Sequence, residues 1–252
     1  MKNKENWKPT KFIQHKGKLR ASRDEKQVSY SSRLVADITA KFYDRVIREY
    51  AKGYLLDLGC GKVPFYETYV SFISDNFCVD WENSIHKNEF IDMVADLNMP
   101  IDIEDNCFDT IILSDVLEHI KEPKLLWSEM ARILKEGGTL IMNVPFFYWL
   151  HEEPHDYYRY TKHSLTAMAK ESGFEIIEIK SLGGAPEILT DIVAKTIHII
   201  PIAGKFISIL IQNITWLLIN MKIGNKVSRA TRDSFPIAYG LVAKKVKQYP
   251  KN

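Results

Sequence analysis

Gly59-Cys60-Gly61 follows directly on the apolar run 54–58. Small residues at such a bend let a ligand approach the backbone and meet the amide groups of a following helix. A dinucleotide fingerprint would place a third glycine at position 64, where this chain has Pro64, so nicotinamide binding is not expected. Asp57, just ahead of the bend, would repel a pyrophosphate but suits a ligand bearing an ammonium group. Asp80 lies about twenty residues beyond the glycines, the distance at which an acid accepts hydrogen bonds from both hydroxyls of a ribose. Trp81 can then pack on an adenine face, and Asp96 can meet an adenine amino group. A second concentration of chemistry spans residues 145–161, where aromatic side chains surround His151, His155, Asp156 and Arg159. Long, costly loops of this kind carry function more often than they merely connect.

The elements that must position these residues are legible from periodicity. Residues 32–50 carry apolar side chains at helical spacing. Short apolar runs at 54–58, 76–79, 91–95, 108–113 and 139–144 read as strands, and 123–134 reads as a helix stopped by the Gly137-Gly138 pair. A helix at 161–172 and strands at 174–180 and 238–245 follow. Strands with little internal alternation are buried on both faces, as in a parallel sheet covered by helices. The expected fold is α/β, a doubly wound Rossmann-like sheet with an apolar helical insertion before the last strand. It divides into a basic arm (1–32), a core (33–184), the insertion (185–235), and a last strand with a tail (236–252).

The motifs, in order, are Leu-Asp-Leu-Gly-Cys-Gly at 56–61, Val-Asp at 79–80, Ala-Asp-Leu at 95–97, Phe-Asp-Thr-Ile-Ile-Leu-Ser-Asp-Val-Leu-Glu-His at 108–119 and Leu-Lys-Glu-Gly-Gly-Thr-Leu at 134–140. Together they resemble class I S-adenosylmethionine-dependent methyltransferases over residues 33–180 and the last strand. The resemblance implies S-adenosylmethionine as cofactor. The turn made by Gly59, Cys60 and Gly61 would then lie by the methionine moiety, Asp80 by the ribose, Asp96 and Leu97 by the adenine, and Ser114 near the sulfonium. Val63 departs from the third glycine of many members.

A hydroxyl acceptor must shed its proton near the transition state of methyl transfer, and histidine is the natural base. His155 is the first candidate and His151 the second, with Asp156 orienting a ring. Tyr157, Arg159 and Tyr160 are the candidate acceptor-binding residues. The block at 151–161 resembles the His-x-x-Pro-x-Asp-Tyr-x-Arg-Tyr-Thr signature of methyltransferases of bacterial cell-surface polysaccharide pathways. That implies a glycan or lipid-linked glycan acceptor. Asp115, Glu118 and His119 fall at i, i+3 and i+4, and with His155 they form a weaker candidate set for a divalent metal. The set resembles the Glu-x-x-Glu-His motif of small-RNA terminal 2′-O-methyltransferases and ubiquinone-pathway O-methyltransferases, with Asp115 one methylene shorter. The rival expectations are a small-molecule or quinone-type O-methyltransferase and a non-catalytic cofactor-binding subunit.

Of 252 residues 46% are apolar and 26% charged, which fits a globular chain with its own core and excludes low-complexity and coiled-coil classes. Three cysteines without a paired spacing suggest neither a disulfide framework nor a zinc site. Residues 1–10 are charged and hold no apolar run, so a cytoplasmic location is expected. Residues 1–33 hold ten Lys or Arg against three Asp or Glu, an arm expected to be solvated and partly disordered; nucleic acid is not the expected partner. Residues 206–221 contain no charge, yet the stretch is shorter than the ~20 residues a membrane span needs. Residues 185–223 are therefore expected to rest on the inner membrane surface, cover a lipid-linked acceptor, form a homodimer interface or pack on the chain's own core.

Overall fold

The computed structural model describes residues 1–82 and 89–246. The basic arm folds first into an antiparallel hairpin of β1 (Phe12–His15) and β2 (Lys18–Ala21), and α1 (Arg33–Tyr50) follows. The expectation of a solvated leader fails here for a simple reason. Phe12 and Ala21 are fully buried beneath α1 and stack into the core, and apolar anchors of this kind outweigh the pull of the surrounding lysines toward water.

The apolar runs that follow become β3 (Tyr54–Leu58), β4 (Asp75–Asp80), the two-residue β5 (Met93–Val94) and β6 (Phe108–Ser114), with a single helical turn α2 (Tyr66–Tyr69) after β3. Helix α3 (Pro123–Ile133) leads into β7 (Leu134–Pro145), and α4 (Lys162–Glu171) leads into β8 (Phe174–Leu182). Three helices, α5 (Ala185–Ile197), α6 (Ala203–Asn220) and α7 (Lys222–Thr231), precede β9 (Ala238–Lys245). The sheet order is β5-β4-β3-β6-β7-β9-β8. β3 through β7 are parallel, as expected, whereas β9 runs antiparallel to both β7 and β8. The Gly137-Gly138 pair, expected only to stop a helix, lies within β7, which begins at Leu134. The tail residues 247–252 lie outside the described residues.

Burial on both sides of the sheet explains the weak alternation. Leu56 and Leu58 face a core shared with α3 and α4, while Leu55 faces the core under α1 and the hairpin. Helix α1 approaches the sheet closely at β9, where a Cβ on Gly240 would lie 2.6 Å from the Phe42 ring. The consequence for function is topological: strand order reverses between β3 and β6, so the carboxyl ends of β3, β4 and β6 open a crevice at the switch point.

The insertion behaves differently from a core helix. Gly204, Ser208, Gln212 and Thr215, with Ile219 at the end, form the largely polar buried face of α6, and Gln212 accepts from the Leu34 amide at 2.9 Å and donates to the Tyr30 carbonyl at 2.7 Å. Phe206, Leu210, Ile214 and Leu217 point outward and are exposed. The helix is polar toward the protein and apolar toward its surroundings. No single helix among the described residues is long and apolar enough to cross a membrane; α6 and α7 qualify only as a pair bent by 94°.

Candidate active site

A cleft of about 510 Å³ opens at the switch point, and Asp57, Gly59, Cys60, Gly61, Asp80, Trp81, Asp96, Leu97 and Ser114 all line it. Every cofactor-binding residue expected from sequence is thereby brought to one cavity. Gly59 sits at φ +71°, and a Cβ there would fall 2.5 Å from Val116, so the bend tolerates only glycine. The Gly59 and Cys60 amides donate to the Val79 carbonyl at 2.8 and 3.0 Å, tying the bend to β4. Asp80 is buried, its Oδ2 accepting from the Gly61 amide at 2.9 Å and its Oδ1 from the Trp81 amide at 2.8 Å. Val63, the residue at which the sequence departs from the resemblance, adopts φ +51° and is fully buried; its packing offsets the strain of a β-branched residue in the left-handed region.

Asp57 is buried at the floor, where burial pushes its carboxyl up to about 8, reinforced by the Asp80 charge and opposed by a 3.3 Å hydrogen bond from the Tyr69 hydroxyl. A buried acid of this kind is completed by an incoming ammonium group. The residues therefore fit an amino-acid-bearing nucleoside: exposed backbone and an acid at one end, Asp80 at the centre, and Trp81 and Leu97 as apolar surfaces at the other.

At the carboxyl ends of β6 and β7 the Tyr43 and Ser114 hydroxyls donate to Asn143 Oδ1 at 2.8 and 2.9 Å. Asn143 Nδ2 donates to Asp115 Oδ1 at 2.6 Å, and Lys11 Nζ reaches Asp115 Oδ2 at 3.0 Å. Burial opposes charge on Lys11, but Asp115 wins and holds the ammonium above its usual value. Thr10, Lys11, Lys26 and Gln27 line the same cleft, so the N-terminal arm forms one of its walls. Nothing local in the sequence signals this, because an arm rich in lysine reads as surface.

The loop between β7 and α4 forms the opposite wall. His155 and Tyr157 line the cleft, with the His155 ring edge-on to Trp81 at 5.0 Å and its Nδ1 3.2 Å from the Tyr157 hydroxyl. The structure places three further expected residues. Asp156 orients His151 rather than His155: its Oδ2 accepts from the His151 amide at 2.9 Å and lies 3.2 Å from His151 Nδ1. Arg159 grips Asp156 through both terminal nitrogens and donates to the Trp149 carbonyl at 2.9 Å, contacts that staple the loop. Tyr160 is buried with its hydroxyl donating to the Leu117 carbonyl at 3.2 Å, away from the cleft.

The expected metal set is also rearranged. Asp115 is consumed by Lys11 and Asn143, and His155 faces Trp81, whereas His151 joins Glu118 and His119 in a cluster whose candidate ligand atoms lie within 4.8 Å of one another. Burial pushes the Glu118 carboxyl up; burial also works against charge on His151, but Glu118 raises its pKa overall. The cluster abuts the cleft through His119.

Residues 56–142 match a family model described as a methyltransferase domain. No curated protein matches the sequence. Among solved structures, the chain is similar to a SAM-dependent methyltransferase from Archaeoglobus fulgidus at 16% identity and a TM-score of 0.55, covering 86% of this chain and 98% of that one. It is similar to a complex of a Haloferax volcanii methyltransferase with its methyltransferase activator at 16% identity and a TM-score of 0.53, covering 88% and 97%. It is also similar to the [4+2]-cyclase SpnF at 17% identity and a TM-score of 0.52, covering 83% and 82%. At these identities the likeness establishes the fold, and the seven-stranded mixed sheet agrees with it.

Proposed function

We propose that this chain, an enzyme carrying a class I S-adenosylmethionine-dependent methyltransferase domain, transfers a methyl group to a sugar hydroxyl of a cell-surface glycan or its lipid-linked precursor. One observation carries the reading: His155, an imidazole in no ion pair with a carboxylate among the described residues, lines the cleft together with Asp57 and Asp80, which fit a donor nucleoside. The donor supplies an activated methyl group. The protein's part is to align the acceptor oxygen and remove its proton; alignment is worth about 7–11 kcal/mol and a positioned base about 10²- to 10⁴-fold. A fold shared with a [4+2]-cyclase does not specify transfer, so the acceptor wall must.

The insertion supports a lipid-linked acceptor. Between residues 192 and 232 there is no Asp or Glu, while Lys205, Lys222, Lys226 and Arg229 accompany the outward apolar face of α6. An apolar face with a cationic rim suits an anionic bilayer surface, which would place the enzyme peripherally on the cytoplasmic leaflet. Lys195 of α5 lies 3.8 Å above the Tyr148 ring, linking the insertion to the loop that carries His155. The tests are incubation with methyl-labelled donor and fractionated envelope glycolipid, read by mass spectrometry, and sedimentation with anionic vesicles. Labelled glycan with vesicle binding supports the reading; labelled quinones or small phenols, or cofactor binding without turnover on any pool, overturns it in favour of a small-molecule enzyme or a non-catalytic subunit. A chain that stays off vesicles but dimerises only with residues 185–223 present would assign the insertion to a homodimer instead.

A further inference from the structure

His119 Nδ1 lies 2.8 Å from the His155 carbonyl. A carbonyl only accepts, so Nδ1 carries the proton and Nε2 of the neutral ring is a bare lone pair. That nitrogen is buried with no hydrogen-bond partner among the described residues. His151 repeats the arrangement. Its Nδ1 lies 3.3 Å from the Trp149 carbonyl and 3.2 Å from Asp156 Oδ2, both acceptors, which turns a second Nε2 lone pair inward. Each Nε2 stands 3.7 Å from Glu118 Oε1. Glu118 is fully buried, and neither of its carboxylate oxygens has a hydrogen-bond partner among the described residues.

With both rings neutral, three electron-pair donors face one another, an arrangement the buried carboxylate tolerates by keeping its own proton or by standing beside a cation. A separation of 3.7 Å is too long for an N–H···O bond. Ligand atoms about 2.1 Å from a shared ion, at tetrahedral to trigonal angles, stand about 3.4–3.6 Å apart.

We propose that Glu118, His119 and His151 bind a divalent transition-metal ion. The outer shell is already built: a carbonyl fixes the His119 tautomer, and Asp156, gripped by Arg159, orients His151 as a carboxylate–histidine–metal relay. Two imidazoles and a carboxylate select ions of the cobalt and zinc type over magnesium, and three protein ligands leave a further position for an oxygen from the cleft. An ion there would favour loss of the acceptor's hydroxyl proton. That use rests on the methyltransferase reading, whereas ion binding does not.

The test uses the full chain, freed of metal by chelation and titrated with Co²⁺. One ion per chain is expected, with visible ligand-field absorption that excess Mg²⁺ does not remove. Glu118→Gln and His151→Ala should each weaken Co²⁺ binding by more than about tenfold, while calorimetry with S-adenosylhomocysteine, the demethylated donor, stays unchanged. Wild-type protein that takes up no Co²⁺, or variants that bind it as tightly as wild type, overturn the proposal. Should a variant also lose S-adenosylhomocysteine, X-ray absorption of the Co²⁺-loaded wild type decides: two imidazole scatterers support the site and none refutes it. Metal uptake without S-adenosylhomocysteine binding would instead refute the reading of the cleft and leave the metal site standing.

Discussion

Donor binding should be tied to a proton on Asp57. The carboxyl is buried and pushed up to about 8, so in the free protein at pH 7 it is largely neutral. An ammonium group bound against it favours the ionised form, so binding must expel the proton. Each pH unit below the pKa costs about 1.4 kcal/mol, or tenfold in affinity. Because the carboxyl is already half ionised at pH 8, the affinity for S-adenosylhomocysteine should fall by about 50-fold between pH 8 and pH 6, with close to one proton released per ligand bound near pH 6. At more alkaline pH the ligand's own α-ammonium, held above the peptide N-terminal range by its adjacent carboxylate, loses its charge, and affinity should decline again. Titration calorimetry across this range, in buffers of different ionisation enthalpy, reads both quantities. Asp57→Asn should abolish the proton release and flatten the acid limb. An affinity constant from pH 6 to 8 with no proton exchange would refute the argument.

The same displacement acts on the ligand-free protein's stability. Between the ordinary carboxylate range and about pH 8 the native state keeps a proton that the unfolded chain has released, so the Asp57 contribution falls as pH rises through that window and is constant above it. Asp80→Ala, which removes acceptors for the Gly61 and Trp81 amides as well as for the ribose, should weaken S-adenosylhomocysteine binding by about 1–3 kcal/mol in calorimetry. His155→Ala should leave that affinity intact and slow transfer by about 10²- to 10⁴-fold in a labelled-methyl assay, and equal losses in both would remove its role as base. Gly240→Ala forces a Cβ to within 2.6 Å of the Phe42 ring and should cost about 1–3 kcal/mol in urea unfolding, with a less than additive loss when combined with Phe42→Leu.

The convergence of Asp57, Gly59 and Asp80 on one cleft was legible because its signals are local. Asp57, Gly59 and Asp80 each sit at a strand end, and once the strands are placed the switch point gathers them. The acceptor half was less so. His151 and Asp156 were read as rivals to and supporters of His155, but the fold of their loop pairs them with each other. Charge and aromaticity in a loop do not reveal where Arg159 and Tyr160 point; in the fold both make bonds that hold the loop together. The antiparallel β9 was missed because strand direction depends on the preceding connection rather than on the strand's own residues. The arm misled through composition: its fold depends on Phe12, Leu19 and Ala21, three apolar residues among ten cations.

The three helices between β8 and β9 leave and re-enter the sheet on a single rung, since Leu182 and Ala238 are paired partners. A graft at that rung leaves the strand pairing in place, at the cost of a loop-closure entropy that grows slowly with length and of the contacts that Ile188 and Gln212 make with the core and with Leu34 and Tyr30. Evolution, or a protein engineer, can thus exchange the whole helical appendage while Asp57 and Asp80 keep their places.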